Sequence, residues 1–176
     1  MTSILQEKEI TTSFIMSPSE LDHNWQKNLH AGVSKSLTGK CTFEHGYITN
    51  IKRILKILDQ QVTRTNGHVQ LSLKVLADVL KPQVGDNVDV VVEMIFPHGV
   101  FCYHRMVRMM LPLSKCSDFM LKQDFSMSFL SHKTKNIVIR KNETIPVIID
   151  DVRFENNLYT CIVSLDVNKL KEKKVK

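Results

Sequence analysis

The chain has 176 residues, 43% of them hydrophobic, and a formal net charge of +6. That apolar share suffices for one ordinary domain or two small ones and excludes disorder as the main state. The charge is uneven: Lys169 to Lys176 hold five lysines and one glutamate, leaving only +2 for the other 168 residues, which excludes a duplex-DNA binder working by charge alone.

Ile10 to Met16 is rich in β-branched residues and predicts a first strand. Ser17-Pro18-Ser19-Glu20 is a capping box with proline at the first helical position. Leu21, Trp25, Leu29, Val33 and Leu37 then recur at spacing four, which predicts a helix of about five turns ended by Gly39. At this spacing Trp25 reads as core rather than as a ligand platform. Ile48, Ile51, Leu55, Leu58 and Val62 fit a helical period, whereas Asn66-Gly67 signals a hairpin with Gln61 to Thr65 extended, so periodicity leaves Ile48 to Leu58 open between helix and strand. Val69, Leu71, Leu73 and Val75 alternate as in a half-buried strand.

Lys81-Pro82-Gln83-Val84-Gly85-Asp86 is the best domain boundary in the chain. Beyond it, short strands follow quickly. Val88, Val90, Val92 and Met94 are expected on one face, with Asp89, Val91, Glu93 and Ile95 on the other. Val100 to Tyr103 and Met106 to Leu111 give a second and third strand, and Ser114 to Lys135 reads as an insertion with a short helix. Ile145, Val147 and Ile149 give a fourth strand, shifted in phase by a bulge at Asp150-Asp151. Tyr159, Cys161, Val163 and Leu165 give a fifth. Five short strands interrupted between the third and fourth are the layout of an OB-type barrel. The basic end reads as a solvated, mobile tail.

No enzyme motif is present: there is no phosphate loop, no GxSxG and no HExxH. No catalytic residue, metal, cofactor or small-molecule substrate is therefore expected. Cys41, Cys102, Cys116 and Cys161 lie far apart without CxxC spacing, so the chain reads as reduced and intracellular. The first ten residues lack a signal peptide's apolar run, and no stretch reaches the ~20 apolar residues of a membrane span. His98, Cys102 and His104 form the tightest cluster of metal-ligand types, but a fourth ligand is missing. Phe101, Tyr103 and Arg105 alternate on one face of the second strand, and Arg108 follows on the third. OB folds bind single strands with aromatics that stack on bases and cations that meet phosphates, so these four residues are the candidate RNA contacts.

Val88 to Leu113, VDVVVEMIFPHGVFCYHRMVRMMLPL, resembles the opening of an S1-type RNA-binding OB fold. Ahead of it, Gly39-Lys40-Cys41, Gly46-Tyr47-Ile48, Thr65-Asn66-Gly67 and Lys81-Pro82-x-x-Gly85-Asp86 stand in the order seen in the larger stalk subunit of RNA polymerase II and in its archaeal counterpart. The resemblance covers Ile10 to Asp166. It implies an α+β chain: an N-terminal tip domain (Met1 to Leu80), with a helix packed on a small antiparallel sheet, then a five-stranded S1-type OB barrel (Lys81 to Asp166) and a basic tail (Val167 to Lys176). It implies strand, not helix, after Ile48. Where the family has glycine-proline between the second and third barrel strands, this chain has His104-Arg105-Met106.

The function implied is that of a non-catalytic subunit. The tip would dock on the polymerase core through His45, Gly46 and Tyr47 and through Arg64 and Asn66 in the Gln60 to Asn66 loop. A smaller helical stalk subunit would pack against both domains, and the barrel would face nascent single-stranded RNA. The implied location is nuclear for a cellular eukaryotic protein and a viral factory or virion for a large-DNA-virus homologue. A free-standing OB-fold factor of translation or RNA decay is the competing expectation.

Overall fold

The computed structural model describes residues 4–124, 127–134 and 137–174. The chain is mostly β, with two α-helices among the described residues, and it divides into two units at the Lys81–Pro82 junction. The expected boundaries at Met1 and Lys176, and Lys135 at the end of the expected insertion, lie outside the described residues.

The first unit comprises β1 (Leu5–Met16), α1 (Trp25–Leu37), β2 (Cys41–Thr42), β3 (Gly46–Val62) and β4 (Val69–Leu80). The strands form an antiparallel sheet in the order β1-β4-β3-β2. Leu29, Val33 and Leu37 of α1 are buried against a face that includes Ile10, Met16, Leu73 and Val75. Each such side chain contributes about 1.5–3 kcal/mol of hydrophobic stabilisation.

The helix is shorter than the spacing predicts. The Ser17–Glu20 capping box forms, with the Ser17 N–H donating to the Glu20 carboxylate at 2.8 Å, but it closes only a single 3-10 turn, Pro18–Glu20. The Asp22 carboxylate then accepts the Asn24 N–H at 2.8 Å and the Asn28 amide at 3.1 Å. These local bonds compete with helix continuation, so α1 starts afresh at Trp25 and Leu21 is left 43% exposed.

β3 explains why its own period misleads. It pairs with β4 along its whole length, but the register slips between Ile48 and Asn50, Ile51 and Arg53, Ile54 and Lys56, and Ile57 and Asp59. Each slip inserts one extra residue. The core-facing residues Ile48, Ile51, Ile54 and Ile57 therefore recur every third position instead of every second. A run of bulges at constant interval thus gives a strand a period close to that of a helix. Beyond Val62 the chain turns through Thr63–His68, longer than a two-residue Asn-Gly hairpin. The strand consequently stops before Thr65.

In the second unit, Pro82–Asp86 latches onto the fourth barrel strand. The Gly85 N–H donates to the Ile149 carbonyl at 2.7 Å, and the Ile149 N–H donates to the Asp86 carbonyl at 2.9 Å. The buried Asp86 carboxylate accepts the Gln83 N–H at 2.9 Å, and Gly85 has φ 90, which a side chain would resist. The barrel strands are β5 (Asn87–Phe96), β6 (Gly99–His104), β7 (Val107–Pro112), then β11 (Thr144–Glu155) and β12 (Leu158–Leu165). They close in the order β11-β12-β7-β6-β5, with β12 and β7 parallel and every other pair antiparallel. This is an OB-like closed barrel, filled by side chains such as Val90, Val100, Met109, Ile145 and Val163. The bulge at Asp150 is present. Asp150 is not simply solvated, since its carboxylate accepts from Lys115 at 2.6 Å and from Ser164 at 3.1 Å.

Two expectations change here. The stretch expected as an insertion carries β8 (Phe119–Asp124) and β9 (Met127–His132), which join β10 (Val138–Ile139), beyond its expected end, in a three-stranded sheet, and the only helical turn described beside them is the 3-10 segment Leu113–Lys115. The basic end starts as α2 (Val167–Lys174), whose Leu170 is 1% exposed, so its first turn is anchored rather than free. The sequence missed this because two apolar residues, Val167 and Leu170, ahead of a run of lysines carry too little periodicity.

Candidate nucleic-acid interface

Alternation on β6 and β7 separates the barrel's inside from its outside. Val100, Cys102, Val107 and Met109 point in; Phe101 (44% exposed), Tyr103 (38%) and Arg108 point out. Phe101 pairs with Met110 across the ladder, and Tyr103 pairs with Arg108. Cross-strand neighbours stand about 4.5–5.5 Å apart at Cβ, so aromatic, methionine and guanidinium groups form one continuous surface. Phe101 also stacks on Phe96, with ring centroids 4.7 Å apart and an interplanar angle of 26°. Arg105 sits in the β6–β7 turn with φ 54. The structure therefore brings Phe101, Tyr103, Arg105 and Arg108 to one outer face.

Sequence reasoning missed part of this face. A bulge between Val92 and Met94 turns Glu93 and Met94 outward and Ile95 inward, opposite to simple alternation for the last two. Arg153, Thr160 and Ile162 from the fourth and fifth barrel strands complete an open groove of roughly 610 Å³ beside Phe101 and Arg108. An adjoining groove runs past Tyr103, Arg105, Met106 and Leu158. The parallel pairing of β12 with β7 could have flagged Thr160 and Ile162, but parallel pairing leaves no local sequence signal.

The electrostatics are simple. Arg153 is engaged by Asp151 at 3.3 Å. The Arg105 and Arg108 guanidinium groups have no hydrogen-bond or ion-pair partner among the described residues. Two free cations beside two exposed aromatic rings can meet phosphates while the rings stack on bases. Glu93 is the one carboxylate lining both grooves.

The thiols have no part in this surface chemistry. Burial pushes Cys102 up to about 12, with the Cys116 thiol and Glu93 adding to it. Burial likewise raises Cys116 to about 11, and it raises Cys161 to about 12 with smaller contributions from Asp151 and Asp86. His98, Cys102 and His104 do not converge. Cys102 is inside the barrel, His98 is exposed in the β5–β6 turn, and the His104 ring Nδ1 lies 2.7 Å from the Asp89 carbonyl.

The residues expected to dock on a larger assembly fall into two places. His45, Gly46 and Tyr47 are at the start of β3, while Arg64 and Asn66 are exposed in the loop after its end. A strand of this length separates them by on the order of 40 Å, so they do not make one local site. Gly46 is buried at φ 91, and a Cβ there would stand 2.6 Å from the Leu80 carbonyl oxygen, so the start of β3 lies too close to the end of β4 for a side chain. His45 lies 3.8 Å from the Glu44 carboxylate, and the Asn66 side-chain oxygen accepts the His68 N–H at 3.2 Å.

Fold and surface together define a mostly β chain with an OB-like barrel that presents an aromatic–arginine face. Compared with protein-family models and with curated proteins, the chain matches none. Among the described residues, no helix is long and apolar enough to cross a membrane.

Proposed function

We propose that this chain is a non-catalytic stalk subunit of a multisubunit DNA-directed RNA polymerase. In this reading the Leu5–Lys81 unit is the tip that docks on the core, the barrel is of the S1 type, and its outer face meets nascent single-stranded RNA. The partners are the polymerase core subunits and a smaller helical stalk subunit, and the setting is intracellular.

The observation that carries the reading is the β6–β7 face, where Phe101 and Tyr103 lie beside two arginines without a hydrogen-bond or ion-pair partner among the described residues. Arg105 adds weight. It fills the first position of the two-residue β6–β7 loop, where a tight hairpin calls for a positive φ, and it lines the same groove as Tyr103 and Arg108. The polymerase part rests on the order of the two units, helix-on-sheet before barrel, and on the Lys81–Pro82 junction between them.

The test is ultraviolet crosslinking of nascent RNA in the assembled complex. Arg105→Glu combined with Arg108→Glu should lower crosslinking to this chain without unfolding it. An unchanged yield would remove the barrel face from the reading.

A further inference from the structure

A second groove lies on the helix-on-sheet unit. It holds roughly 400 Å³ between α1 and β3, with Trp25, Leu29 and His30 on the helix side and Arg53, Ile54 and Lys56 on the strand side. Its floor is apolar: Leu29 belongs to the buried core, and Trp25, Ile54 and Ile57 are half-buried against it. Its rim is cationic. The exposed side chains of Arg53 and Lys56 have no hydrogen-bond or ion-pair partner among the described residues, and no carboxylate lines the groove.

The strand edge restricts how this groove is used. β2 covers only Gly46 and Tyr47 of β3, and Gly39 and Lys40 bond the Ile48 backbone, so from Asn50 onward that edge has no strand beside it among the described residues. Four bulges at three-residue intervals break the row of backbone donors and acceptors along it. A straight strand cannot add to such an edge, so a partner must be read through side chains. Trp25 to His30 spans about 7.5 Å of helix axis, which matches one to two turns of a docked helix.

We propose that this groove binds an acidic amphipathic helix of a partner protein. One or two large apolar side chains seat against Trp25, Ile54 and Ile57, and flanking carboxylates face Arg53 and Lys56. The groove lies wholly within the Leu5–Lys81 unit.

Trp25 is the only tryptophan in the chain, so its emission reports this groove directly. The full chain is titrated with a synthetic amphipathic helix carrying leucines on one face and glutamates on the other. A lysine version of the peptide and oligouridylate RNA serve as comparators. The expected result is a saturable Trp25 emission shift with the glutamate peptide alone. Combining Arg53→Glu with Lys56→Glu weakens it by about tenfold, the effect of losing and reversing two exposed charge pairs. Should that double variant misfold, Arg53→Gln with Lys56→Gln and a loss of affinity with added salt give the same reading. No saturable shift, an equal response to the lysine peptide, or an affinity indifferent to both variants and to salt overturns the proposal. A Trp25 shift driven by RNA alone would assign the groove to nucleic acid and overturn it equally.

Discussion

Tyr103 and Arg108 are direct partners across the β6–β7 ladder, both on the outside of the barrel. A ring and a free guanidinium held side by side suit one nucleotide, with its base on the ring and its phosphate at the cation. Tyr103→Ala is predicted to weaken single-stranded RNA binding by about 1–3 kcal/mol, the contribution of one stacked base. Arg108→Ala should weaken binding and reduce the salt dependence by about one phosphate's worth. Fluorescence anisotropy at several salt concentrations checks both. A variant with unchanged affinity would place the RNA elsewhere.

Arg105 poses a trade between stability and binding. At φ 54 an arginine is strained where glycine is not. Arg105→Gly should therefore raise stability by about 1 kcal/mol, relief of strain being partly offset by the entropy of glycine in the unfolded chain. The same change should lower RNA affinity by removing a free cation. Chemical denaturation alongside anisotropy would show the two effects moving in opposite directions; a stability loss would contradict the strain argument.

Much of the barrel was legible in the sequence because β6 and β7 alternate without interruption, so inside and outside follow from position alone. Alternation failed wherever an extra residue entered. At Glu93 one bulge turned Met94 out, and along β3 four bulges made a strand look helical. A deletion tests the bulge account. Removing Leu55, an extra residue between the paired Ile54 and Lys56, leaves Ile54 opposite Val75 and Ile57 opposite Leu73. The shortened chain should fold and lose less stability than Ile51→Ala, which truncates a buried isoleucine and costs about 2–5 kcal/mol. Thermal melting decides this, and a deletion as damaging as the core truncation would argue against independent bulges.

Asp86 shows why the Pro82–Asp86 turn holds its shape. Its buried carboxylate accepts the Gln83 N–H, so Asp86→Ala orphans that donor. The expected cost is about 1–3 kcal/mol. Asp86→Asn, which keeps an acceptor, should cost less. Urea midpoints for the two variants would separate capping from bulk, and equal losses would contradict the assignment.

The buried thiols predict alkaline lability. The unfolded thiols ionise near 9.0, whereas burial holds Cys102 and Cys161 at about 12 and Cys116 at about 11. Below the unfolded value, thiols in both states keep their protons and the slope is flat. Above it, only the unfolded thiols lose protons, so stability falls as pH rises toward the folded values, by about 1.4 kcal/mol per pH unit for each thiol. Urea midpoints measured from neutral pH upward should decline from about pH 9, and Cys161→Ala should flatten that decline by one thiol's share. A decline unaffected by Cys161→Ala would mean that other groups govern it.

That this chain works inside a transcribing polymerase is our proposal. Its most direct test is gentle affinity purification of the full-length protein from its native source, followed by mass spectrometry of everything that co-elutes. The account predicts polymerase core subunits and a small helical partner in stoichiometric yield. Recovery of the chain alone, or with translation or RNA-decay factors and no polymerase, would contradict it.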